Sequence, residues 1–172
     1  MKIVHMAAAT AMMALLAGCA GTISQPTALV ALSAEQQASI HIGNITADAD
    51  KGVDMTTADY QTIIEHVRNY VQEGSPGVIV DPATDGAVAM KIHFTRFDKG
   101  SAFARAMLIG LGQIHIDAIV TLVKADGTSV GEYKVRKTFA LGGIVGAVTR
   151  IEDVEIGFSK SVAEVVKAKT AK

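Results

Sequence analysis

Three stretches of this chain alternate apolar and polar residues with a period of two, and that period fits a strand with one buried face. In Ala87 to Phe97, Val88, Met90, Ile92 and Phe94 alternate with Ala89, Lys91, His93 and Thr95. Gln113 to Val123 repeats the pattern through Ile114, Ile116, Ala118, Val120 and Leu122. Ser129 to Phe139 sets Tyr133, Val135 and Phe139 against Glu132, Lys134 and Arg136. Asp126-Gly127 is a strong turn signal between the last two, so they form a hairpin. A shorter alternation over Ser39 to Thr46, with Ile40, Ile42 and Asn44 on one face and His41 and Gly43 on the other, predicts a first strand. Ala47 to Asp54 reads as an acidic turn region.

One-sided strands need a cover, and two segments carry helical periodicity. Thr56 or Thr57 is placed as an N-cap, with Asp59 in the first turn. Tyr60, Ile63, Ile64, Val67, Tyr70 and Val71 follow, and Gly74 with Pro76 ends the run. A closing helix from about Asp153 carries the stripe Val154, Phe158, Val162, Val165 and Val166, with Lys160, Glu164 and Lys167 toward water. The expected fold is therefore α/β: a two-layer sandwich in the order β-α-β-β-β-α, its mostly antiparallel sheet covered on one face by two helices. With no tryptophan and only five Phe and three Tyr, the core must be mainly aliphatic.

The N-terminus points to an address. Lys2 supplies a positive start, Val4 to Leu16 is apolar apart from His5 and Thr10, and small residues lead into Cys19, the only cysteine. This is the anatomy of a secretory signal peptide, too short for a membrane span. Leu16-Ala17-Gly18-Cys19 resembles the bacterial lipobox, which implies cleavage between Gly18 and Cys19 and a covalent lipid on Cys19. Ala20, rather than Asp, after the cysteine favours the outer membrane on the same resemblance. The expected organisation is a lipoprotein signal peptide over 1–18, a tether over 19–37 and a single periplasmic domain over 38–172. A chance thiol near an ordinary secretory cleavage site is the plainer alternative.

Removal of the signal leaves 154 of 172 residues, enough for one domain with its own core. Fifteen basic against 17 acidic residues then give nothing that attracts a polyanion, so nucleic acid is not an expected partner. Gly100, Arg105, Gly110 and Gly112 between two strands, Ala125-Asp126-Gly127 in the hairpin, and Phe158-x-x-x-Val162-Ala163 in the last helix carry a family resemblance. Over roughly residues 37 to 168 the chain resembles a family of uncharacterised bacterial lipoproteins grouped under a domain of unknown function, the 4410 type. The resemblance implies an envelope α/β domain and brings no assigned catalysis.

Catalytic signatures are missing: there is no Cys pair for zinc, no G-x-S-x-G, no H-E-x-x-H and no P-loop. Gly110-Leu111-Gly112 enters a strand rather than a helix and lacks a third glycine, so it is no dinucleotide fingerprint. The expectation is a non-enzyme with no cofactor beyond the lipid. His41, His93 and His115 share the polar parity of three strands, with Asp117 beside the last. They could converge as zinc or copper ligands or as a small-ligand face, or simply be the polar side of a solvated sheet.

Arg105 is the only charge between Ser101 and Gln113. It could meet an acidic partner group or a lipid headgroup, or act as a latch on the crossover. Ala140 to Val148, with Leu141, Ile144 and Val145, is a second apolar, glycine-rich stretch, and the hairpin brings both stretches to one sheet end. Either they complete the core or they form a docking surface for an envelope protein, a membrane or further copies of the chain. The reading that results is a lipid-anchored outer-membrane lipoprotein whose domain serves interaction or assembly; the alternative is a metal or small-ligand module on the histidine face.

Overall fold

A computed structural model describes residues 23–107, 112–141 and 143–167. The elements in chain order are β1 (Thr27–Val30), α1 (Ala34–Ser39), β2 (Ile42–Ala49), α2 (Thr57–Gly74), β3 (Val88–Asp98), α3 (Ala102–Met107), β4 (Ile114–Val123), β5 (Ser129–Phe139), α4 (Gly143–Val148) and α5 (Ile151–Ala163). Five strands form one sheet in the order β1-β5-β4-β3-β2. All pairs are antiparallel except β2–β3, whose parallel pairing needs the crossover that α2 provides. The α/β class, the mostly antiparallel sheet and the two long covering helices are as the sequence predicts.

Alternation becomes burial. On β4 every second residue from Ile114 to Leu122 is buried, and its register with β5 runs from Ile114 opposite Phe139 to Val123 opposite Ser129. The hairpin closes at Gly127, whose φ of +86° suits glycine, and the Asp126 side chain accepts from the Thr128 N–H at 2.8 Å. α2 starts where the Thr56 hydroxyl accepts from the Asp59 N–H while Asp59 accepts from the Thr56 N–H, a reciprocal cap. Its buried stripe is Ile63, Val67 and Val71; that of α5 is Val154, Phe158 and Val162. Phe94 on β3 joins the layers, its ring 5.5 Å from Phe158 on α5 and 6.2 Å from Tyr60 on α2.

Three expectations are corrected. The stretch 19–37 is not a bare tether: β1 pairs with β5, Thr27 opposite Lys134, and the Leu32 N–H donates to the Tyr133 hydroxyl at 2.9 Å. α1 follows, capped by Ser33. Neither element was legible because β1 is exposed at all four residues and α1 buries none, so no hydrophobic period marks them.

The second correction concerns the first predicted strand, which lies at Ile42–Ala49, later than 39–46 and reaching into the supposed acidic turn. A bulge between Ile42 and Asn44 inserts one residue and reverses parity. Asn44 therefore faces outward and Ile45 inward. Gly43 fits there because a Cβ would lie 2.9 Å from the Pro82 Cα. Third, the glycine-rich stretches contain short helices, α3 and α4, so the full order has more elements than β-α-β-β-β-α.

Removing the ring that bridges the layers should cost far more than removing a cap. Phe158→Ala is expected to lose about 3–5 kcal/mol, against about 1 kcal/mol for Thr56→Ala. Denaturant melts of the two variants beside wild type make the comparison, and equal losses would contradict the layer-bridging role.

Candidate functional site

At one end of the sheet β3 leaves at Asp98, β4 begins at Ile114 and β5 leaves at Phe139. The two apolar connections meet there, and α3 packs on α4. Gly100 and Gly112, at φ of +62° and +66°, turn the chain out of β3 and back into β4, and the Ser101 N–H donates to the Gly112 carbonyl. The Ser101 hydroxyl accepts from the Ala104 N–H at the start of α3. At the other helix, the Thr149 N–H and hydroxyl both donate to the Val145 carbonyl, closing α4 just before α5 begins.

The pair is divided between core and solvent. Val145 is half-buried and packs against the core, as does Ile151 just beyond. Outward, Phe103 is 77% exposed, Met107 67%, Ile144 81% and Val148 67%, with Leu141 at 42% beside them. Four large apolar side chains on two touching helices are more than the scattered exposure normal on a soluble surface. Arg105 lies in α3, but its side chain is outside the described residues, as are Gly18 and Cys19.

The histidines do not meet. His93 on β3 stands opposite Ile119 of β4, whereas His115 lies four residues along that strand, opposite Asp98. Four residues of strand are about 13 Å. His41 precedes β2 and is exposed. Asp117 sits opposite Arg96 and Arg136, with the Arg136 Nε 3.8 Å from its carboxylate. His115 instead contacts the Thr138 hydroxyl at 3.1 Å. Among the described residues no group of three or more His, Cys, Asp or Glu is arranged to hold a metal ion.

His93 has partners the sequence did not reveal. Asp48 lies directly opposite it on the parallel neighbour β2 and contacts Nδ1 at 2.7 Å; Asp50, just beyond, contacts Nε2 at 3.0 Å. The hydrogen bond to Asp48, then that to Asp50, raises the imidazole pKa above its ordinary 6.5, with burial opposing weakly. Both carboxylates lie in or just past the strand that the bulge had displaced from its predicted place. A second unforeseen group is Glu155, 5% exposed in the second turn of α5. Burial, then the carboxylates of Asp59 and Glu152, push it up to about 7, while Lys99 pulls the other way. It follows Val154 of the stripe directly, a place where helical spacing alone does not distinguish a rim carboxylate from a buried one. Lys137, at 4% exposure, likewise occupies the inward parity of β5 and is engaged there.

With the geometry in place, the chain matches the family described as a domain of unknown function (DUF4410) over residues 31–143, and it belongs to that family. The matched span starts before and stops well short of the 37 to 168 expected from the resemblance. No curated protein matches it. Among solved structures, two dodecamers of PelC from Paraburkholderia phytofirmans share the fold. One, a point variant, has a TM-score of 0.56 at 10% identity over 85% of this chain and 97% of that one. The other has a TM-score of 0.53 at 11% identity over 86% and 96%.

The double clamp on His93 has a direct readout. In an NMR pH titration the His93 imidazole should titrate above 6.5, and Asp48→Asn should bring it down by more than Asp50→Asn does. A His93 midpoint at or below 6.5 in wild type would contradict the clamp.

Proposed function

We propose that this chain is a lipid-anchored outer-membrane lipoprotein whose periplasmic domain is a non-enzymatic assembly module, docking copies of itself or an envelope partner through the α3–α4 surface. The observation that carries this reading is the cluster of Phe103, Met107, Ile144 and Val148, exposed together on two packed helices at one sheet end. Their burial against a partner removes apolar surface from water at roughly 25 cal/mol per Å². The fold shared with dodecameric PelC supports self-association as the first mode to test. Leu16-Ala17-Gly18-Cys19 supports the anchor, with the lipid as the only attached group. The histidine face is not put forward as a metal or ligand site, because the register spreads its members apart.

Two substitutions test the parts separately. Cys19→Ser should abolish incorporation of a fatty-acid probe in cells; equal label on both chains would remove the anchor. Ile144→Asp places a charge on an exposed position, so stability should change by no more than about 0.5 kcal/mol while self-association or partner crosslinking is lost. Thermal melts beside sedimentation of the same protein make the comparison. A melt that collapses assigns α4 to the core alone, and unchanged association removes the docking role.

A further inference from the structure

The route of the chain puts Ile23 and the α3–α4 surface at opposite ends of α5. β2 and β3 run parallel and both end where α3 and α4 pack, so α2, which follows β2, starts at that end. α5, which follows α4, starts there too, and both helices finish at the far end of the domain. From Ile151 to Ser161, α5 advances about 15 Å. There the Ser161 hydroxyl accepts from the Ser24 N–H at 2.7 Å, which fixes where the N-terminal segment meets the domain. Ile23, one residue earlier, is 46% exposed and lies within about 14 Å of Cys19 along the chain.

A groove of about 430 Å³ opens beside Ile23, between the last turns of α2 and α5. Tyr70 and Glu73 line it from α2, and Lys160 from α5, with Glu164 and Lys167 just beyond. The Lys160 ammonium lies 5.3 Å over the Tyr70 ring, and that of Lys167 is 3.0 Å from the Glu164 carboxylate. An exposed isoleucine, a tyrosine ring and lysines on long apolar stems suit the boundary between lipid headgroups and water. Two ammonium groups and two carboxylates leave this lining without net charge, which fits a headgroup carrying both signs better than a purely anionic one. Lys167 is half-exposed, and such surface pairs contribute little, so its ammonium can turn to a phosphate.

We propose that this groove is the membrane-facing site of the domain and seats zwitterionic phospholipid headgroups, with Lys160 and Lys167 toward the phosphate and Glu73 toward the headgroup ammonium. This seating rests on the Cys19 anchor put forward above: a lipid there holds one end of the leash at the bilayer, so the groove end stays within the leash of that surface. α3 and α4 then face away from the lipid, which leaves their apolar cluster to protein.

With Cys19 lipidated, an introduced cysteine is the sole free thiol. A fluorophore at Gln72→Cys, exposed beside the groove, or at Glu152→Cys, exposed near α4, is quenched by vesicles that carry a nitroxide on the headgroup. The full lipidated chain in phosphatidylethanolamine-rich vesicles should show several-fold stronger quenching at position 72 than at 152. Vesicles of phosphatidylglycerol alone, or Lys160→Glu with Lys167→Glu, should lower quenching at 72 toward the level at 152 while the chain still floats with the vesicles. Equal quenching at the two positions, or stronger quenching at 152, overturns the membrane-facing site and leaves the anchor standing. Quenching at 72 that ignores both headgroup and lysines overturns the recognition of a zwitterionic headgroup. A chain that takes up no fatty-acid probe and does not float overturns the anchor, and the site with it.

Discussion

The fold hangs on the contact between Phe94 and Phe158. Phe94 is fully buried on the middle of β3, with Phe158 at 5.5 Å, Tyr60 at 6.2 Å and the edge of Phe97 at 6.3 Å. It thus draws both long helices onto a single strand. A core this poor in aromatic residues otherwise relies on Ile, Val and Leu, whose packing is strong in sum but weakly directional. The aromatic group fixes where α5 crosses the sheet. That placement determines where α4 emerges, two residues before α5 starts, and so where the apolar surface is displayed.

What could be read from the sequence follows from which residues touch the core. β3, β4 and β5 each bury alternate side chains, and α2 and α5 each bury a stripe, so their periods survive in the sequence. β1 and α1 are held by backbone pairing, the Tyr133 hydroxyl and a cap, none of which leaves a period. At Gly43 a single bulge residue reverses the face of all that follows, and alternation has no means of announcing it. The meeting of the two glycine-rich stretches was legible because a hairpin fixes which strand ends are neighbours. The partners of His93 were not, since Asp48 reaches it only through the parallel β2–β3 register.

The polar groups of the two sheet faces have different standing. On the open face His93, Asp117 and Arg136 pair in water, where such contacts contribute little to stability and are screened by salt. On the covered face Glu155 and Lys137 are buried, where an ionised group is sensitive to every charge near it. Both lie toward the end where α3 and α4 pack.

The revised N-terminus changes the mechanics of anchoring. An unstructured 19–37 segment would let a lipid on Cys19 hold the domain anywhere within about 60 Å of the bilayer. Instead the Ser24 N–H donates to the Ser161 hydroxyl at 2.7 Å, and β1 is zipped to β5 from Thr27. Only Ala20, Gly21 and Thr22 then separate Cys19 from Ile23, four residue steps with a reach of about 14 Å at full extension. With Cys19 as the anchor proposed above, the domain is a short-leashed body at the membrane surface rather than a roving one. Such confinement raises the effective concentration of neighbouring copies and restricts their relative orientation, both of which favour the self-association proposed above.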